Sequence, residues 1–304
     1  MALSHDPLWP RAGSWPAVDG EADAVLLGVP TWRTSLSPTG AHATPAAIRE
    51  ALPRYGATVL GPPIVDLDEA LRIRDAGDVA EPDGDDGEAT TISRVRELSE
   101  VARLVIALGG DNSLTYPVAL GARATGLITF DAHFDLRDGV SNGTPVRRLV
   151  EDTPASATVG TSRIDPTRIV QIGIADFANS AAYARRAADW GIRVITLDEV
   201  RRRGAADVVA EALEIAGSGD APRIHLDIDV DVCDRSVAPG CPASVPGGLA
   251  AGELRSLTRA VAADARVVSA DLAEVDATAD ADDARTVRLA ALCVLELLAG
   301  LASR

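Results

Sequence analysis

Lysine is absent from this chain, so all 29 basic side chains are arginine. That excludes a lysine Schiff base, a phosphate-loop lysine and a Ser-Lys hydrolytic pair. Positive charge is scarce overall: 45 acidic against 29 basic groups leave a formal charge of −16, which repels nucleic acids and anionic lipid surfaces. Neither is expected as a partner. Cysteine is rare, and Cys233, Cys241 and Cys293 lie too far apart to suggest a disulfide framework. With no basic-then-apolar leader at the first residues, a reducing cytoplasm is the expected setting. The longest apolar stretch, Val287 to Ala302, is broken by Arg288 and Glu296 and falls short of the roughly 18 uninterrupted residues of a membrane span. It reads as a packed C-terminal helix.

What is present suits a packed α/β protein. The 304 residues are 47% hydrophobic, enough to bury a sizeable core. Short β-rich runs recur at Ala24–Val29, Ile64–Leu67, Leu104–Leu108, Leu127–Phe130, Ile169–Ile174, Arg193–Leu197, Ile224–Ile228 and Val267–Leu272. Most are continuous, as strands buried on both faces should be. Helical spacing fills Thr44–Leu52, Ser93–Arg103, Ser180–Trp190, Ala205–Ile215, Ala251–Ala263 and Asp280–Leu298. The alternation predicts a three-layer α-β-α fold with a mostly parallel sheet of about eight strands. Loops are expected at Asp75–Gly87 and Asp138–Pro145, with Met1–Glu21 as irregular chain on the surface. No linker or repeat divides the sequence, so residues 1–304 are expected to form one domain.

The chemistry concentrates in two segments. After the run Gly126–Phe130, Asp131, His133 and Asp135 fall at alternate positions and share a face in extended chain. A second run places Asp227, Asp229 and Asp231 on one side of another strand. Repulsion and desolvation make such a cluster costly without a cation. Carboxylates with one imidazole suit Mn²⁺ or a similar hard divalent ion, and carboxylates can bridge two such ions. In a parallel sheet both segments converge at the carboxyl edge, where α/β proteins place their sites. Gly109-Gly110-Asp111-Asn112-Ser113 turns from a strand into a helix at the same edge.

Together these residues resemble the ureohydrolase family, the arginase, agmatinase and formimidoylglutamase group, from about Gly28 to the C-terminus. Its Asp-Ala-His-x-Asp motif stands as Asp131, Ala132, His133, Phe134 and Asp135, and its Asp-x-Asp-x-x-Asp motif as Asp229, Asp231 and Asp234. The resemblance implies an arginase-like fold and two Mn²⁺ ions bridged by Asp131 and Asp229. His133 and Asp231 would complete one site, and Asp135 would contribute to the other. Where the family carries a further histidine ligand, this chain has Asn112, a weaker ligand for a first-row metal. The resemblance also implies trimers or hexamers.

Within the group, the wording from Asp131 to Arg147 and from Phe177 to Tyr183 is closest to the formimidoylglutamases of histidine degradation. A substrate with two carboxylates wants a fixed cation, and Arg137 stands two residues beyond Asp135. An ion pair with Asp138 is the alternative use of Arg137. Asn142 is a candidate second substrate contact, or a turn residue. The implied reaction is hydrolysis of the formimino C–N bond of N-formimino-L-glutamate, with loss of ammonia favoured over release of formamide and glutamate. Asp135 is expected to orient the attacking group and Glu274 to bind the amidine. The rivals are an agmatinase or guanidino-acid hydrolase, and a metal-poor family member without catalysis.

Overall fold

The computed structural model describes residues 6–151 and 163–304. Among them the strands are β1 (Ala22–Val29), β2 (Thr58–Val59), β3 (Val65–Asp66), β4 (Ile73–Asp78), β5 (Ala102–Gly109), β6 (Gly126–Phe130), β7 (Ile169–Ile174), β8 (Arg193–Thr196), β9 (Ile224–Asp229) and β10 (Val267–Ala273). The helices are α1 (Thr44–Ala51), α2 (Leu67–Ala70), α3 (Gly84–Ser99), α4 (Thr115–Gly121), α5 (Pro145–Glu151), α6 (Ala181–Trp190), α7 (Leu197–Arg203), α8 (Ala205–Ala216), α9 (Ala251–Ala262) and α10 (Arg285–Ala302). Eight strands form one sheet in the order β4-β1-β5-β10-β9-β6-β7-β8, every pair parallel. This is the expected α/β architecture with an eight-stranded parallel sheet.

Alternate residues of each central strand enter different cores, which is why the strand sequences read as continuous apolar runs. Leu26, Leu104, Ile106, Ile128 and Leu226 pack with residues of α1, α8, α9 and α10 into one large cluster. On the other face the core is divided. Val25, Leu27, Val105 and Ala107 pack beneath Val95 and Val118 of α3 and α4, while Leu127 and Ile169 pack with Phe134 and Val146. Between these two clusters run β9 and β10, which present His225, Asp227, Ser269 and Asp271 on that face, all fully buried.

Several expectations need correction. The run Ile64–Leu67 is not a strand of the main sheet: Val65–Asp66 pairs with Thr58–Val59 in a separate antiparallel ribbon, and Asp66 caps α2 through Asp68 N. The eighth strand is β4, whose residues Asp75–Asp78 fall where the loop Asp75–Gly87 was expected. It lies at the sheet edge, where Asp75 and Asp78 take up Arg49 at 2.7 and 2.6 Å, so it lacks the apolar signature of a buried strand. Helix α3 also begins earlier than its periodicity suggested, with Asp85 and Asp86 in the first turn complementing the helix dipole. Helices α5 and α7 were not expected. The described part of the N-terminal segment is irregular, tied down by Trp15 Nε1 donating to Asp68 at 2.8 Å.

Candidate metal centre

The four central strands, β5, β10, β9 and β6, deliver the site from their carboxyl ends. The turn after β5 needs its glycines: a Cβ on Gly110 would stand 2.2 Å from Thr31 O. After β6, Asp131 Oδ1 accepts His133 N at 2.6 Å, and at the end of β9 Asp229 Oδ1 accepts Asp231 N at 2.9 Å. These two turns, rather than extended chain, bring each following ligand back over the strand end. Asp131, His133, Asp135, Asp229 and Asp231 come together by this path rather than by alternation along extended chain, and Asp227, expected beside Asp229 and Asp231, stays back within β9 and joins neither group below. Asp135 and Glu274 both have left-handed φ, +52° and +62°, a conformation that non-glycine residues keep only when their surroundings enforce it.

Two groups of potential ligand atoms result, each with its atoms within 4.8 Å of one another. One is Asp131, His133 and Asp231; the other is Asp131, Asp135 and Asp229. Asp131 belongs to both. His133 Nδ1 lies 3.0 Å from Asp231 Oδ2 and 3.5 Å from Asp131 Oδ1. Burial pushes the Asp131 carboxyl up to about 6, despite the hydrogen bond from His133. It also lifts Asp135 and Asp229 well above the carboxylate range, aided by the charges of Asp131 and Asp231 respectively. Burial works against His133, yet the Asp231 and Asp131 carboxylates outweigh it and push the imidazole up to about 12. Asp131 Oδ2 is buried without a hydrogen-bond partner. A crowded, desolvated set of oxygens around one imidazole fits divalent cations of the Mn²⁺ type.

Around this cluster the remaining predicted residues fall as follows. Asn112 directs Nδ2 to Asp135 Oδ2 at 2.7 Å, while Thr115 Oγ1 donates to its Oδ1 at 2.6 Å. As placed, Asn112 steadies a carboxylate of the cluster and does not turn its own oxygen toward it. Glu274 Oε1 accepts Asn112 N at 2.8 Å and Asn142 Nδ2 at 2.7 Å, and burial pushes its carboxyl up to about 8. Asn142 also accepts Leu36 N at 3.0 Å, so it joins Glu274 to the 35–39 loop. Arg137 is exposed at the cavity wall and makes no ion pair among the described residues. Asp138, its alternative partner, instead takes Arg186 at 2.9 Å. Asp234 stands apart, organising its own loop by accepting Ser236 N and Gly247 N. The three cysteines are buried free thiols.

A cavity of about 220 Å³ opens over the cluster, lined among others by His133, Asp135, Arg137, Asn142, Asp229, Asp231 and Glu274. Sequence reasoning missed several contributors. Ser35, Leu36, Ser37 and Thr39 form one wall, held by Ser35 Oγ donating to Asp111 at 2.6 Å and Gly40 N donating to Asp276 at 2.7 Å. Nothing in that loop's composition marks it. Asn179 ties down the ligand loop, accepting Phe134 N at 3.0 Å and donating to Ala132 O at 2.8 Å. His225, read only as the start of a strand, contacts Asp271 at 3.0 Å and Ser269 at 2.8 Å.

The central strand ends of a parallel sheet thus assemble two overlapping carboxylate groups beneath a cavity, an arrangement suited to divalent cations. The chain belongs to the Arginase family, whose model matches residues 22–300. It is an enzyme of the kind that hydrolyses C–N bonds of linear amidines. It is 33% identical over 308 residues to the formimidoylglutamase of Bacillus subtilis, spanning 95% of this chain and 90% of that protein. The crystal structure of the B. subtilis enzyme superposes with a TM-score of 0.87 at 30% identity, covering 99% of this chain and 94% of that one. Trypanosoma cruzi formiminoglutamase, solved with Mn²⁺, gives 0.84 at 27% identity over 97% of this chain and 99% of that one. A Pseudomonas aeruginosa guanidinopropionase is 33% identical over 216 residues, 68% of this chain and 64% of that protein.

Proposed function

We propose that this enzyme hydrolyses the formimino C–N bond of N-formimino-L-glutamate, a step of histidine breakdown, with Mn²⁺ as its metal. The observation that carries the substrate is Arg137: a cation without an ion-pair partner among the described residues, beside a cavity whose floor is acidic. An anionic tail pairs with it, whereas the cationic tail of agmatine meets repulsion. Guanidino acids share the anionic tail and are the second reading, supported by the likeness to guanidinopropionase.

Asp131, His133 and Asp231 would hold one cation, and Asp131, Asp135 and Asp229 the second. When bound, the cations supply an activated water at neutral pH and draw off charge developing on the reacting carbon. Glu274, fixed by Asn112 N and Asn142 Nδ2, faces the cavity with a carboxyl suited to an amidine N–H pair. Asn142 holds that carboxyl and the Leu36 wall in one geometry, so it orients the substrate through Glu274. Asp135, held by Asn112, orients the attacking group. Hydrolysis consumes one water and yields either ammonia with N-formylglutamate or formamide with glutamate, according to which C–N bond breaks.

The test incubates Mn²⁺-loaded protein with N-formimino-L-glutamate, guanidinopropionate, guanidinobutyrate, agmatine and arginine, measuring ammonia, glutamate and urea. The formimino compound should give the highest kcat/KM, and the ratio of ammonia to glutamate identifies the bond broken. Preference for agmatine would refute the role given to Arg137.

A further inference from the structure

The backbone gives no reason for a glycine at position 143. Its φ lies outside the left-handed region that favours glycine, so the chain itself accepts alanine there. No backbone atom crowds it, in contrast to Gly110 beside Thr31 O. The atoms nearest a Cβ on Gly143 would be Arg137 Cδ at 2.8 Å, Arg137 Nε at 3.2 Å and Leu36 Cδ1 at 3.2 Å. The missing side chain therefore leaves room for the stem of Arg137, with the tip of Leu36 against the same point. All three residues line the cavity over the candidate metal groups.

Arg137 has a fixed base and a stem that only packing can hold. Its backbone N donates to Gly143 O at 3.0 Å, Arg147 Nε donates to its carbonyl at 2.8 Å, and Arg147 Nη2 donates to Gly139 O at 2.7 Å. Across the turn, Thr144 Oγ1 donates to Ser141 O at 2.7 Å and accepts Ser141 N at 3.1 Å. The guanidinium, by contrast, makes no hydrogen bond or ion pair among the described residues. Long charged side chains lay their methylenes along a surface while the head stays wet. Each unconstrained torsion has roughly three staggered wells. A stem free to rotate aims its charge at the cavity only part of the time, and apparent affinity falls with that fraction.

We propose that Gly143 is a positioning residue for substrate recognition: its bare Cα and the Leu36 side chain form a slot that holds the stem of Arg137 and keeps the charge over the cavity. This rests on the reading of Arg137 as the contact for the substrate's carboxylate tail. Asn142 joins the Leu36 wall to Glu274. The slot thus ties the group that receives the anionic tail to the group that receives the amidine, and sets the distance between them. A methyl group at position 143 fills the slot. Because the turn's backbone is held on both sides, the stem gives way, and the torsions that place Cδ and Nε leave their wells.

Gly143→Ala, Arg137→Ala and the double variant are compared, each loaded with Mn²⁺, on N-formimino-L-glutamate and on an N-alkylformamidine without carboxylates. With one or both torsions released, Gly143→Ala should raise KM for the anionic compound about 3- to 9-fold, with kcat held. KM for the carboxylate-free compound should not rise. In the Arg137→Ala background the same change should raise KM no further, because no stem remains to displace. Should Gly143→Ala fail to fold, Leu36→Ala is held to the same outcomes: it opens the slot from the other side and keeps the backbone bond to Asn142. Equal rises on both compounds, a rise that persists without Arg137, or an unchanged KM where Arg137→Ala raises it would overturn the proposal and leave the reading of Arg137 standing. An unchanged KM in Arg137→Ala itself would sink both.

Discussion

Replacing Arg137 with alanine separates substrate recognition from chemistry. Its guanidinium makes no ion pair among the described residues, since Asp138 is taken by Arg186. The substitution therefore breaks no salt bridge, and stability should stay within about 0.5 kcal/mol of the parent, as for other surface changes. A charge-assisted hydrogen bond to a carboxylate contributes about 1.5–3 kcal/mol. Arg137 is exposed and screened by solvent and salt, so the lower end applies: about 1.5 kcal/mol, or roughly tenfold in KM. The contact exists in the ground state and the transition state alike, so kcat should hold while KM rises. Steady-state kinetics on N-formimino-L-glutamate and on an N-alkylformamidine without carboxylates reads both effects. The carboxylate-free compound should bind no more weakly after the change, and the tenfold gap should shrink at high salt. Equal losses on both compounds, or a fall in kcat at constant KM, would refute the carboxylate contact.

Asp229→Ala should remove bound Mn²⁺ and activity together, because Asp229 completes one ligand group and caps the turn that presents Asp231; elemental analysis beside the activity assay checks this. Asn142→Ala frees Glu274 and the Leu36 wall at once, so kcat/KM should fall about 10- to 100-fold, the usual loss on removing an outer support, with metal content unchanged. Asn112→His should tighten Mn²⁺ at the Asp131, Asp135 and Asp229 group, since imidazole is the better ligand for a first-row ion; calorimetric titration of the second equivalent reads it. Metal-free protein should lose stability as pH rises from about 4.5 toward 8. Asp131, at about 6, and Glu274, at about 8, bind protons more tightly folded than unfolded, so their contribution is full at low pH and fades as they ionise. Melting curves across that range should show the decline, and saturating Mn²⁺ should abolish it.

The apolar runs Leu104–Leu108, Leu127–Phe130, Ile169–Ile174 and Val267–Leu272 announced buried strands because a parallel strand covered on both faces carries its whole environment in its own composition. The candidate ligands were equally legible. Asp131, His133 and Asp135 are close in sequence, as are Asp229 and Asp231, so short turns gather each set at its strand end, and the pairing of β6 with β9 then joins the two sets. The edge strand β4 was hidden because half-buried acidic residues paired with Arg49 look like loop. The 35–39 wall, Asn179 and Asp276 were hidden because their roles rest on hydrogen bonds to distant segments.

The sequence by itself determined an acidic, lysine-free α/β chain with a cluster of carboxylates and one imidazole at a sheet edge. Local patterning and composition dictate those features without reference to partners far along the chain. Only the tertiary structure decided that Asp138 turns to Arg186 and leaves Arg137 without an ion pair among the described residues, that Asn112 directs its nitrogen at Asp135, and that Asp227 and Asp271 meet side by side on buried strands. Each depends on which strands and loops become neighbours, and that is set by packing the whole sheet.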